Sequence, residues 1–94
     1  MRIRWLEEAI HDLDALQSSI AQDNEKAAAN VAMKILNAID TLSTQPDMGR
    51  AGRVPSTREL VITGTPYIIP YRVKQNAIEI LHVYHSAMQW PELF

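Results

Sequence analysis

An α+β fold of order β-α-α-β-β-β, a helical hairpin packed on one face of a mainly antiparallel sheet, follows from three observations. Between Glu7 and Leu42 apolar residues recur every three or four positions, the period of amphipathic helices. After Arg58 they crowd into three short runs rich in Ile, Val, Tyr and Leu, the signature of strands. The change of period falls across "TQPDMGRAGRVPST", whose glycines and prolines mark an irregular loop. Helices segregated from strands in this way build an α+β domain.

Each element has its own signal. "RIRWL" alternates through Ile3 and Trp5 and reads as a first strand over residues 2–6. From Glu7 the stripe Ala9, Leu13, Leu16, Ile20 predicts a helix, with Glu7 and Glu8 in the first turn where the helix dipole favours acids. "QDNE" breaks that stripe, and Asp23 or Asn24 can cap a second helix. The second stripe is Ala27, Ala28, Val31, Ile35, Ala38, Ile39 and Leu42, ending near Ser43 or Thr44 because Pro46 follows. Two striped helices joined by a short polar link form a hairpin. "RELVITG", "PYIIPYRV" and "AIEILHVYH" then form a three-stranded meander, with turns at Gly64-Thr65-Pro66 and Lys74-Gln75-Asn76. Pro70 donates no ladder hydrogen bond, so its strand must meet an edge, a bulge or a gap in pairing there. The place of the first strand in the sheet stays open.

The 94 residues suit one compact domain, residues 1–94. Without cysteine there is neither a disulfide framework nor a thiolate metal site, and the three histidines have no zinc spacing, so no metal or cofactor is expected. The charged start "MRIRWLEEAIHDLD" lacks the apolar core of a signal peptide. No stretch approaches the roughly 18 apolar residues of a membrane span, and a cytoplasmic protein without a membrane partner is expected. Charge is uneven: residues 1–49 carry −4 and residues 50–94 carry +2, within a total of −2. That balance hints at an anionic partner but lacks the large positive excess of non-specific nucleic-acid binding.

The order of elements, together with "EEAIHDLDAL", "ILNAIDTLSTQPDMGRAGR", "TRELVITGTPYIIPYRV" and "IEILHVYHSAMQWP", resembles the RelE/ParE superfamily of toxins from type II toxin–antitoxin modules over nearly the whole chain. "REL", "PYIIPYRV" and the last stretch look most like the ParE branch. The resemblance implies the toxin of a plasmid-stabilisation (addiction) module, held inactive in a hetero-oligomer with a cognate antitoxin. In the ParE branch the implied target is DNA gyrase, inhibited by binding. In the RelE branch the implied activity is ribosome-dependent mRNA cleavage.

Such cleavage needs a base, an acid and cations at the scissile phosphate. The resemblance to the ribonuclease branch would place an arginine where Ile68 stands in the run Ile68-Ile69-Pro70-Tyr71, and no lysine lies between Lys34 and Lys74. A ribonuclease would be left with His85, Tyr84, Arg72, Arg58 and Glu59 as its candidate catalytic set. His85 reads either as a general acid or as a structural group fixing the exit of the tail. Arg72 reads as an anchor for an acidic partner, as a strand arginine paired with Glu79 or Glu59, or as a solvated side chain. Arg58 and Glu59 read as a catalytic pair or as cross-strand partners. His82 reads as a packed or partly exposed strand residue, and His11 as an exposed helix residue. On one continuous strand Ile78, Ile80, His82 and Tyr84 would share one face, and Glu79, Leu81, Val83 and His85 the other. Candidate contacts to antitoxin or target are Arg50, Arg53 and Arg72, with Met88, Trp90 and Phe94 of the apolar tail, which either folds back over the sheet or offers a contact surface.

Overall fold

The computed structural model describes residues 1–94. Strand β1 is Arg2–Trp5, followed by helices α1 (Glu7–Asp23) and α2 (Glu25–Thr41). Five more strands follow: β2 (Arg50–Ala51), β3 (Arg58–Val61), β4 (Tyr67–Lys74), β5 (Ala77–Ile80) and β6 (Tyr84–His85). Asn24 caps α2, its side-chain oxygen accepting from Ala27 N–H at 3.0 Å. The helix ends at Thr41, two or three residues before the expected end at Ser43 or Thr44, because Leu42 to Thr44 close as turns on the last helical carbonyls.

The sheet runs β1-β5-β4-β3-β2, with β6 also on β4. β1 lies parallel to β5 at one edge, and every other pairing is antiparallel. The chain therefore crosses over two helices before returning beside its first strand. The β4–β5 turn has Gln75 and Asn76 both at positive φ, 53° and 60°, the geometry of a two-residue type I′ hairpin.

The core lies between the helical hairpin and one face of the sheet. Ala9 and Leu16 of α1 and Ile35 and Ile39 of α2 pack on Leu60, Ile69, Tyr71, Ile78 and Ile80. Alternation then puts Glu59, Pro70, Arg72 and Glu79 on the other face, which no helix covers.

Two expectations need correction. "AIEILHVYH" is not one strand. Pairs Tyr71–Ile80 and Ile68–Tyr84 bracket two residues of β4, Ile69 and Pro70, but three of the facing chain, Leu81, His82 and Val83. The extra residue is a bulge, and it sits where Pro70 has no N–H to give. The Pro70 carbonyl accepts from Leu81 N–H at 3.0 Å, so the missing donor also points toward the bulge. The bulge shifts the alternation by one, so Val83 joins Ile78 and Ile80 in the core instead of sharing a face with Glu79. Second, the glycine-containing loop is not wholly irregular: Arg50 and Ala51 pair with Glu59 and Arg58 as a two-residue edge strand.

Candidate functional site

The uncovered face is organised by two buried carboxylates. Glu59 on β3 is 2% exposed, yet receives five hydrogen bonds, from the Arg53 amide and from the guanidinium groups of Arg50 and Arg53, at 2.8–3.3 Å. Burial disfavours its charge, but these donors outweigh burial and hold its pKa below the usual carboxylate value. Glu79 on β5 lies between Arg72 at 2.7 Å and Arg4 at 3.1 Å. The Arg72 hydrogen bond lowers its pKa, against the opposing effect of burial. Each carboxylate thus pins two arginines whose outer edges face solvent.

Arg58 lies on the opposite face, in register with Tyr71, and donates to the Gly49 carbonyl at 2.8 Å. Tyr71, fully buried, accepts from Gly49 N–H and donates to the Pro46 carbonyl, both at 2.8 Å. A Cβ on Gly49 would stand 2.6 Å from the Tyr71 ring, so only glycine lets the loop come this close. Loop and sheet are therefore locked, and Arg50 and Arg53 are presented from a fixed frame.

His82, in the bulge, is held by Asp12 of α1. One Asp12 carboxylate oxygen lies 3.0 Å from His82 Nδ1 and accepts from Val83 N–H at 3.0 Å. The His82 ring stacks on Tyr84, 4.5 Å between centroids at 15°. Burial pushes the Tyr84 hydroxyl pKa up, with the Asp12 charge adding to the effect. His85 is exposed, edge-on to Tyr67, and its Nδ1 accepts from Ala87 N–H at 3.0 Å. His11 is exposed on α1.

The tail folds back. Trp90 lies 4.9 Å from Tyr84 and beneath Arg53, whose guanidinium carbon is 3.8 Å from the ring centroid. Phe94 tilts on His82 at 5.4 Å. Met88 and Leu93 remain exposed.

The candidate residues are therefore dispersed. Arg58 and Arg72 border one cleft and Glu59 another, and neither cleft contains His85 or Tyr84. Arg53, Trp90 and Tyr84 do come together, and Arg50 shares Glu59 with Arg53. Arg4, Asp12 and His82 are structural partners that sequence reading did not bring to these groups. Asp12 had no signal, since it lies 70 residues from His82 in the chain.

The second feature is a groove of about 670 Å³ between α2 and the β3 edge, bordered by Lys34, Ala38, Thr41, Met48, Val61 and Ile62. β2 covers only Arg58 and Glu59, so β3 is unpaired beyond them. Ile62 N–H bonds Tyr67 on β4, so the alternate residue Val61, the last of β3, turns its backbone groups outward.

A hairpin behind a mixed sheet with an arginine-bearing front is the fold of a small toxin of the RelE/ParE superfamily. A solved structure described as the chromosomal ParDE TA system from P. aeruginosa superposes with a TM-score of 0.81 at 27% identity, covering 90% of this chain and 95% of that one. The family described as the ParE toxin of the type II toxin–antitoxin system, parDE, matches residues 3–90. Putative toxin Y4kP of Sinorhizobium fredii is 47% identical over 98% of this chain and 95% of its own length. Toxin RelE2 of Caulobacter vibrioides is 33% identical over 92% and 96% respectively. The chain belongs to the ParE toxin family of type II toxin–antitoxin systems, within the RelE/ParE superfamily.

Proposed function

We propose that this toxin acts in the cytoplasm by binding and inhibiting DNA gyrase, and that its cognate antitoxin neutralises it in a hetero-oligomer. The observation that carries the binding reading is the commitment of the polar side chains a nuclease would use. Glu59 is saturated by Arg50 and Arg53, Arg72 is bound to Glu79, and Arg58 holds the 46–49 loop. Ile68, where the ribonuclease branch would have its arginine, is buried between Val61 and Tyr84. A general acid at His85 would have no clustered cation facing it to stabilise a phosphorane.

The antitoxin reading rests on the groove. An extended segment laid along β3 would satisfy the outward backbone groups of Val61 and set alternate apolar side chains against Met48 and Ala38. Lys34 and Arg50 at the rim favour an acidic residue on that segment. Coexpression with the product of the neighbouring reading frame tests this. The antitoxin restores growth to cells making the wild-type toxin, and Val61→Lys, on an exposed edge, weakens the complex at least tenfold without lowering Tm. Unchanged affinity would move the antitoxin elsewhere. The relative named RelE2 supports a second reading, ribosome-dependent mRNA cleavage, which predicts cut transcripts after toxin induction.

A further inference from the structure

Residues beyond Met88 make no hydrogen bond to the domain. Side-chain packing holds them: Trp90 on Tyr84 and under Arg53, and Phe94 on His82 and, at 6.2 Å, on Tyr84, with Phe94 also bordering a small cleft beside Leu6, Arg72 and Leu81. The surface that receives them is built differently. His82 is oriented by Asp12, Tyr84 is buried and paired in the sheet, and Arg53 is held through both its amide and its guanidinium by Glu59. A firmly anchored receptor thus holds a loosely anchored occupant. The fit is also imperfect, because the Trp90 indole N–H is buried with no acceptor. An unmet buried donor weakens the hold of whatever carries it.

We propose that His82, Tyr84 and Arg53 form a peptide-binding site, filled in cis by the tail. In trans it takes a partner segment that presents two aromatic side chains four positions apart. The tail itself defines that ligand class. Trp90 and Phe94 have this spacing, and Pro91 between them restricts the backbone that sets it. One ring must lie flat against a guanidinium, which favours an electron-rich aromatic. The other meets the stacked His82–Tyr84 pair. A foreign segment whose first ring carries no N–H, or leads it to an acceptor, avoids the defect of the resident one. Because the tail is tethered, it competes at an effective concentration of roughly millimolar, so the site stays closed to weak ligands. The site is independent of which target the toxin takes.

The test uses the full chain and a synthetic peptide, SAMQWPELF, as probe. Trp90→Ala/Phe94→Ala empties the site without touching the receptor side chains, and circular dichroism checks that the variant is folded. The peptide is expected to bind this variant at least tenfold more tightly than wild type, shifting the NMR resonances of His82, Tyr84 and Arg53. A peptide with its two aromatics one residue closer is expected to lose at least tenfold. No binding to the emptied variant, equal binding to wild type and variant, or indifference to spacing would each overturn the proposal.

Discussion

The Tyr71 hydroxyl accepts a 2.8 Å hydrogen bond from Gly49 N–H inside the core, 22 positions away in sequence. The same hydroxyl donates to Pro46, so one oxygen from the middle of β4 closes both ends of a tight loop. Tyr71→Phe leaves a buried N–H and a carbonyl without partners while keeping the ring. It is expected to lower stability by about 1–3 kcal/mol, and to raise amide exchange at Gly49 and Arg50 before it affects β5. Unchanged exchange in the loop would remove Tyr71 as its anchor.

Glu59 and Glu79 give the protein a definite response to acid. Both carboxyls have folded pKa values below their unfolded ones. A depressed carboxylate contributes stability above its unfolded pKa, roughly 4.3 for glutamate, and that contribution is lost as pH falls through the folded value. Urea midpoints are therefore expected to hold steady from neutral pH down to about 5 and to fall steeply below about 4. Glu59→Gln, which keeps the shape but weakens the arginine contacts, is expected to lower stability at neutral pH by about 2 kcal/mol, read as a lower urea midpoint, and to flatten the acid limb. A wild-type limb as shallow as the variant's would mean Glu59 titrates as an ordinary carboxyl.

The bulge at Leu81–Val83 depends on Asp12. Asp12→Ala removes the acceptor for Val83 N–H and the partner of His82 Nδ1 together. It is expected to destabilise by about 1–2 kcal/mol, with amide exchange rising at Val83. Asp12→Asn retains one acceptor oxygen and is expected to recover about half the loss. Equal losses in the two variants would assign the effect to the helix rather than to the bulge.

The fold was legible because the helical stripes and the three apolar runs carry local periodicity. Asp23 or Asn24 could be named as the cap from side-chain chemistry, with Asn24 the one observed, and Pro70 as an interruption from its missing N–H. The bulge was signalled by Pro70 but not placed, since the residues that absorb it lie on the neighbouring strand. The two-residue β2 lacks any pattern of its own and exists because Glu59 gathers Arg50 and Arg53. The parallel edge position of β1 follows from packing the hairpin, which no short window reports. For the candidate site, sequence offered the Arg72–Glu79 pair as one of several readings of Arg72 and the folded-back tail as one of two placements. The geometry selects Glu79 and the folded-back tail.

The β4–β5 hairpin stores a small strain. Gln75 and Asn76 both adopt positive φ, which glycine reaches without a Cβ penalty. Asn76→Gly is expected to raise stability by about 0.5–1 kcal/mol, read as a higher Tm with unchanged antitoxin binding. A lower Tm would show that the Asn76 side chain supports the turn.

The proposed inhibition of gyrase by binding is tested most directly by a supercoiling and DNA-cleavage reaction with purified gyrase, run beside a translating extract read by primer extension. Toxin is expected to suppress supercoiling in proportion to its concentration and to leave transcripts intact, with added antitoxin restoring supercoiling. Cut mRNA with gyrase untouched would contradict this account and place the chain's activity with the ribonuclease branch.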